Sequence, residues 1–307
     1  MSSPQTGSKL IRRLRLSAPR LRLASPVFLS AALAGVPTAP AAAHERGFGP
    51  WSQAGELAAV NSPAMDGCPF PTPDGRRLYI ASTRPGGFGG LDIWVAERPS
   101  EHAPWGAPVN LGPQINTEHN EFCPSPQPQG RFMFVSNRPG GCGGGDIYAT
   151  RFDHRYGWRT PENLGCTINS AAEEAGPVRA PFALYFSSTR SGNSDVYRSL
   201  ALGPWIGPPT PVAELNSPFD DARPFVRPDG KEIVIDSNRP GGLGLTDVWS
   251  AVRRHPWQPW SQPVNLGPAV NSAAAETRPS LSSDGTILYF GSTRGASQDV
   301  FVSTRGS

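Results

Sequence analysis

The sequence predicts an all-β chain folded as a single five-bladed β-propeller of four-stranded blades, with the ring closed by an N-terminal strand that completes the last blade. Three observations predict it. Gly 34 and Pro 35 among 307 residues are nearly double their ordinary joint share of about 12%, and both interrupt helices. A pattern recurs five times at a period of about 53 residues, the scale of radial and stacked repeats. The fifth copy stops before its last strand, and the missing piece stands at the other end of the chain.

The chain opens with a segment that is not part of the repeats. Lys9, Arg12, Arg13, Arg15, Arg20 and Arg22 precede a short apolar run, Leu23 to Val36, and then Pro-Ala-Ala-Ala with small residues at Ala41 and Ala43. This order reads as a signal peptide over 1–43, cut after Ala43. The apolar run falls short of the roughly 20 residues that span a bilayer. The mature chain, 44–307, is therefore expected in the periplasm or secreted, with no membrane span and in an oxidising compartment. The segment also accounts for the formal charge of +3, because the rest of the chain carries more acids than bases. No basic patch is left for a nucleic-acid backbone, so nucleic-acid binding is excluded.

Each repeat begins with Asn-Ser or Asn-Thr and an acid five residues after the Asn: Asn61 with Asp66, Asn116 with Glu121, Asn169 with Glu174, Asn216 with Asp221, and Asn271 with Glu276. The repeats thus start near 61, 116, 169, 216 and 271. A Pro stands three residues after every acid, and a Pro-Asp-Gly-like turn follows in all copies but the third, which reads RAPFA. Next comes an apolar run ending in Ser-x-Arg (LYIASTR, FMFVSNR, LYFSSTR, IVIDSNR, LYFGSTR), a Gly-rich loop, and Asp-Ile/Val-aromatic. A Trp in four copies leads to the next Asn. These segments are strands A to D in order. Strand B is apolar at successive positions, which implies burial on both faces, as blades packed face to face require. A solenoid would need distinct caps. Here Trp51 to Leu57 leads to Asn61 at nearly the internal Trp-to-Asn spacing, so it supplies strand D of the last blade.

The residues that recur in every blade are expected to serve every blade. The column Arg84, Arg138, Arg190, Arg239 and Arg294 and the column Asp92, Asp146, Asp195, Asp247 and Asp299 are read as structural ion pairs. The acids Asp66, Glu121, Glu174, Asp221 and Glu276 begin the innermost strands and should ring the channel mouth, either accepting backbone N–H groups and pairing with the Arg column or contributing to a ligand site. Two residues beyond each acid the symmetry breaks, giving Cys68, Cys123, Gly176, Arg223 and Arg278. Arg223 and Arg278 are candidates for an anion or carboxylate subsite, with an Asp236–Arg223 pair as the alternative. Cys142, Cys166, Cys68 and Cys123 are candidates for disulfides in any of three connectivities.

Catalytic signatures are scarce: there is no Gly-x-Ser-x-Gly, no His-Glu-x-x-His and no Gly-Lys-Ser/Thr phosphate loop. His119 with Glu118 and Glu121 is a weak metal candidate, and no metal or other cofactor is expected.

The Pro-Asp-Gly turn, the run ending in Ser-x-Arg and the Asp-Ile-Tyr segment resemble the repeats of the TolB-like exported β-propellers, over nearly all of Trp51 to Ser307. The Trp-x-x-Pro-Val-Asn-Leu-Gly extension is similar to a subgroup often joined to peptidoglycan-binding domains. The resemblance implies an envelope protein that engages partners. The expected function is therefore a monomeric, non-catalytic module binding a protein or a cell-envelope glycan through its top face. The alternative is a glycosidase-like enzyme using channel-mouth carboxylates.

Overall fold

Each repeat forms the antiparallel sheet that its turn signals predict. The computed structural model describes residues 47–307, so the segment read as a signal peptide lies outside the described residues. Strand β1 (Gly55–Glu56) comes first among the described residues. Blade 1 follows as β2 (Asp66–Pro71), β3 (Arg77–Ser82), β4 (Asp92–Glu97) and β5 (Val109–Asn110). Blade 2 is β6 (Glu121–Pro126), β7 (Arg131–Ser136), β8 (Asp146–Asp153) and β10 (Glu162–Asn163), with a short β9 (Gly157–Trp158) extending β8. Blade 3 is β11 (Glu174–Ala180), β12 (Ala183–Ser188), β13 (Asp195–Leu202) and β14 (Trp205–Pro211). Blade 4 is β15 (Asp221–Val226), β16 (Glu232–Ser237), β17 (Asp247–Val252) and β18 (Val264–Asn265). Blade 5 is β19 (Glu276–Leu281), β20 (Ile287–Ser292) and β21 (Asp299–Thr304), completed by β1.

The ring closes as the repeat arithmetic predicts. Gly55 pairs with Val302 and Glu56 with Phe301, and Ser52 N–H donates to Thr304 C=O at 2.7 Å. The first strand of every blade lies innermost, next to the first strands of both neighbours. The second strands are buried almost throughout, with Leu78, Ile80, Phe134, Leu184 and Phe186 fully enclosed. The blades thus meet through two apolar faces, which explains the unalternating runs. Where the third copy lacks its Pro-Asp-Gly turn, the exposed Phe182 takes the left-handed conformation (φ 64°) that Gly75, Gly230 and Gly285 adopt elsewhere.

The pairing register gathers three columns at one end of the ring. Within each blade the acid, the Ser of Ser-x-Arg and the strand-C Asp lie in one row across the sheet, as in Asp66, Ser82 and Asp92. The same row recurs in every blade, as Glu276, Ser292 and Asp299 show in the last. This end is the top. Just below the row every innermost strand is bulged, because the residue two beyond the acid is left-handed and the next is a Pro with no N–H for the ladder.

Candidate functional site at the top of the ring

The recurring columns form one closed circuit per blade. In blade 1, Ser62 N–H and hydroxyl donate to one Asp66 oxygen (2.6 and 2.7 Å), and Arg84 donates to the other at 2.5 Å. Arg84 also donates to Ser82 Oγ and to Val60 C=O, while its guanidinium lies over the Trp94 ring. The other four blades repeat this. Arg138–Glu121 (3.1 Å), Arg190–Glu174 (3.0 Å), Arg239–Asp221 and Arg294–Glu276 (3.0 Å) are the equivalent pairs. Each recurring Asn also has a defined use. Asn116 accepts from Ile93 N–H and donates to Ile93 C=O, so its amide stands in for a strand partner of the preceding blade.

This circuit corrects two sequence expectations. The Arg column pairs with the inner acids, not with the Asp column, because the Arg side chain folds back across its own Ser toward the strand-A end of the row. Asp92, Asp146, Asp195, Asp247 and Asp299 instead serve their own B–C loops. Asp92 and Asp146 take loop N–H groups and an Asn amide each, Asp247 does the same, and Asp195 and Asp299 accept from Ser191 and Ser297. The inner acids Asp66, Glu121, Glu174, Asp221 and Glu276 are fully buried and engaged by Arg, Ser and Thr, so they are not available to a ligand. Glu121 is thereby removed from the metal candidate, leaving Glu118 and His119 as a surface pair 3.8 Å apart. Among the described residues no group of three His, Cys, Asp or Glu side chains is arranged to hold a metal ion.

The symmetry-breaking residues lie at the axis. Cys68, Cys123, Gly176, Arg223 and Arg278 form a ring of left-handed residues, with φ between 46° and 58°. With the five prolines below them they narrow the axis to a plug, lining a space of about 30 Å³, room for one water. Gly176 is required there, since a Cβ would stand 2.7 Å from Arg223 Cα. Arg223 is claimed by Asp236, with Nε and Nη2 at 3.0 and 2.6 Å from Oδ2, so it is not a free cation. Burial opposes the charge on Arg223, and Asp236 more than restores it, raising its pKa. Arg278 gives only its backbone N–H to Asp236 (3.2 Å), and its Nε is enclosed without an acceptor.

Of the cysteines, Cys142 and Cys166 form a disulfide that ties the blade 2 loop to the segment leading into blade 3. Cys68 and Cys123 are free buried thiols with sulfurs 3.1 Å apart, so the expectation of a second bridge is not met in this structure. Burial disfavours a thiolate on Cys68, but the hydrogen bond from Cys123 and the charges of Arg278 and Arg223 outweigh it and bring its pKa to about 6. The same hydrogen bond, with burial, pushes Cys123 up.

Above the plug a pocket of about 290 Å³ opens toward blades 2 to 4. Its walls bring together Glu173, Asp220, Asp236, Arg223 and Arg278. Asp220 is fixed by Ser194 N–H at 2.9 Å and the Asn238 amide at 3.3 Å. The exposed Glu173 carboxylate accepts no hydrogen bond among the described residues. Sequence reasoning missed both acids. They directly precede the inner-acid column, where the other blades carry Met65, Asn120 and Ala275. The same test of blade-to-blade difference that singled out Arg223 and Arg278 selects them once applied one column earlier.

No protein-family model matches the chain, and no curated protein matches its sequence. Solved structures do match. The α-L-arabinofuranosidase of Podospora anserina, in complex with cellotriose, is 13% identical with a TM-score of 0.53, covering 85% of this chain and 98% of that one. The α-L-arabinofuranosidase of Lactobacillus brevis is 15% identical with a TM-score of 0.51, covering 81% and 94%. A structure assigned to TolB from Agrobacterium tumefaciens is 15% identical with a TM-score of 0.45, covering 83% and 97%. At these identities the likeness is one of fold. It corrects the expectation of a non-catalytic binding module. That expectation rested on repeats and on missing signatures, whereas the matching propellers include glycoside hydrolases with little sequence in common.

Proposed function

We propose that the chain is a glycoside hydrolase whose active site is the top pocket, on TolB-type repeats. The observation that carries this is a pair of carboxylates, Glu173 and Asp220, that the repeat does not require and that stand on one 290 Å³ pocket. In this reading Glu173, free of donors, gives a proton to the glycosidic oxygen. Asp220, held by Ser194 and Asn238, takes the proton of the water that adds to the anomeric carbon. The Asp236–Arg223 pair forms a fixed polar floor. The inner acids serve only to hold the blades. We place the enzyme outside the cytoplasm, on the basic and apolar segment before Ala43 and on the Cys142–Cys166 bridge, a bond of oxidising compartments.

The test is a panel of aryl glycosides and oligosaccharides on purified mature chain. Glu173→Gln and Asp220→Asn should each lower kcat by about 10²–10⁴-fold on any substrate turned over, with the melting temperature unchanged. Turnover by the parent that survives in both variants would remove these carboxylates, and no turnover across the panel would remove the reading.

A further inference from the structure

The plug at the base of the pocket carries one guanidinium, that of Arg278, with which no carboxylate of the described residues forms an ion pair. Asp236, the acid beside it, is committed to Arg223 through three side-chain contacts and accepts only the backbone N–H of Arg278. Among the described residues the Arg278 guanidinium has no ion pair, and its Nε is shut from solvent without an acceptor. The column does not call for Arg, since blades 1 to 3 use Cys68, Cys123 and Gly176. The backbone discourages it as well, because φ at Arg278 is 54°, a conformation that suits glycine.

A second observation lies beside it. Gly67 and Gly291 stand in columns where every other blade has a side chain: Phe122, Ala175, Ala222 and Thr277 in one, Ala81, Val135, Ser187 and Asp236 in the other. The space so opened holds the amide of Gln298. A Cβ at either glycine would lie 2.7 Å from Gln298 Nε2, and one at Gly67 would lie 3.8 Å from Arg278 Nη1. Arg278 lines the pocket, and the Gln298 amide stands near its guanidinium, donating to Thr277 Oγ1 at 3.4 Å. Guanidinium and amide donors side by side suit a planar carboxylate.

We propose that Arg278 and Gln298 form a carboxylate subsite and that the saccharide taken by the pocket is acidic, carrying a uronate. The proposal rests on the glycoside hydrolase reading for the identity of the ligand. Cys68 and Arg278 line the same narrow space at the axis. The uronate would pair with the Arg278 guanidinium.

Calorimetric binding of an oligogalacturonate and of a xylo-oligosaccharide of equal length tests this, at two salt concentrations. The acidic ligand should bind at least tenfold more tightly, the worth of one charge-assisted contact. Arg278→Gly should erase that preference, Arg278→Lys should restore part of it, and Gln298→Ala should reduce it. Arg278→Gly should still melt as the parent does, because glycine already occupies this place in blade 3. Equal affinity for the two ligands, no binding of the acidic one at 10 mM (about −2.7 kcal/mol or weaker), or a preference that persists in Arg278→Gly, overturns the subsite. Binding through Arg278 with no turnover of any glycoside would sink the hydrolase reading alone. Turnover of neutral glycosides with no acidic preference would sink the subsite alone.

Discussion

Asp236 shows how one residue at the axis decides what its neighbours can do. Its side chain is fully enclosed, and among the described residues Arg223 is the cation that pairs with it. Removing that cation leaves a buried charge, so Arg223→Ala should cost about 3–5 kcal/mol in urea unfolding. Asp236→Ala in the same chain should recover much of this, and additive losses would refute the pairing. The thiols below respond to pH. Folding lowers the Cys68 pKa to about 6, so its contribution is present above the ordinary cysteine value of about 8.5 and is lost as pH falls through 6. Cys123 is shifted upward, so its contribution is present below its ordinary value and is lost as pH rises beyond it. Urea midpoints should therefore climb between about pH 6 and 8 and decline above about 9. Cys68→Ser should flatten the climb; an unchanged slope in that variant would count against a thiolate at the axis.

At the scale of the loop and strand, glycine use separates packing from chance. In blade 2, a Cβ on Gly143 would stand 2.3 Å from the carbonyl oxygens of Ser170 and Ala172, both backbone, whereas one on the adjacent Gly144 would meet nothing within 4 Å. Gly143→Ala should cost about 1–3 kcal/mol and Gly144→Ala no more than about 0.5 kcal/mol. Thermal melts of the two variants check this directly, and equal melting temperatures would show that the loop yields. The elements were legible from residues because five copies expose each column's need five times. Their partners were less legible. Arg84 lies eight residues from Asp92 and eighteen from Asp66, yet it joins the more distant acid, because register sets Asp66, Ser82 and Asp92 in one row and the guanidinium turns back over Ser82. Glu173 and Asp220 escaped notice because each stands beside a stronger, recurring acid, and only the ring geometry separates a buried Glu174 from an exposed Glu173.

The whole molecule is held as a ring by its N-terminal segment. Besides the β1 pairing, Asn61 bonds the Val300 backbone in both directions, at 2.9 and 3.0 Å, as every internal Asn bonds the blade before it. Arg305 near the other terminus lies 4.4 Å above the Trp51 ring and 3.8 Å above Phe48. Deleting Trp51 to Asn61 should therefore lower the melting temperature of the entire ring and broaden the transition, by exposing one edge of blade 5 and breaking one of five interfaces. A truncated chain that melts like the parent would show that four interfaces suffice.

That same closure sets an order of events for a growing chain. Asn61 is made early, but its partner Val300 follows it by 239 residues. At about 5–20 residues per second, the first strand waits roughly 10–50 s for an edge to join. Blades 1 to 4 can each pair their strands from local sequence, whereas the seam needs residues 239 apart to meet. A circular permutant beginning at blade 1 and carrying Trp51 to Asn61 after Ser307 would make that seam local. It should reach the same ring faster, with its stability little changed.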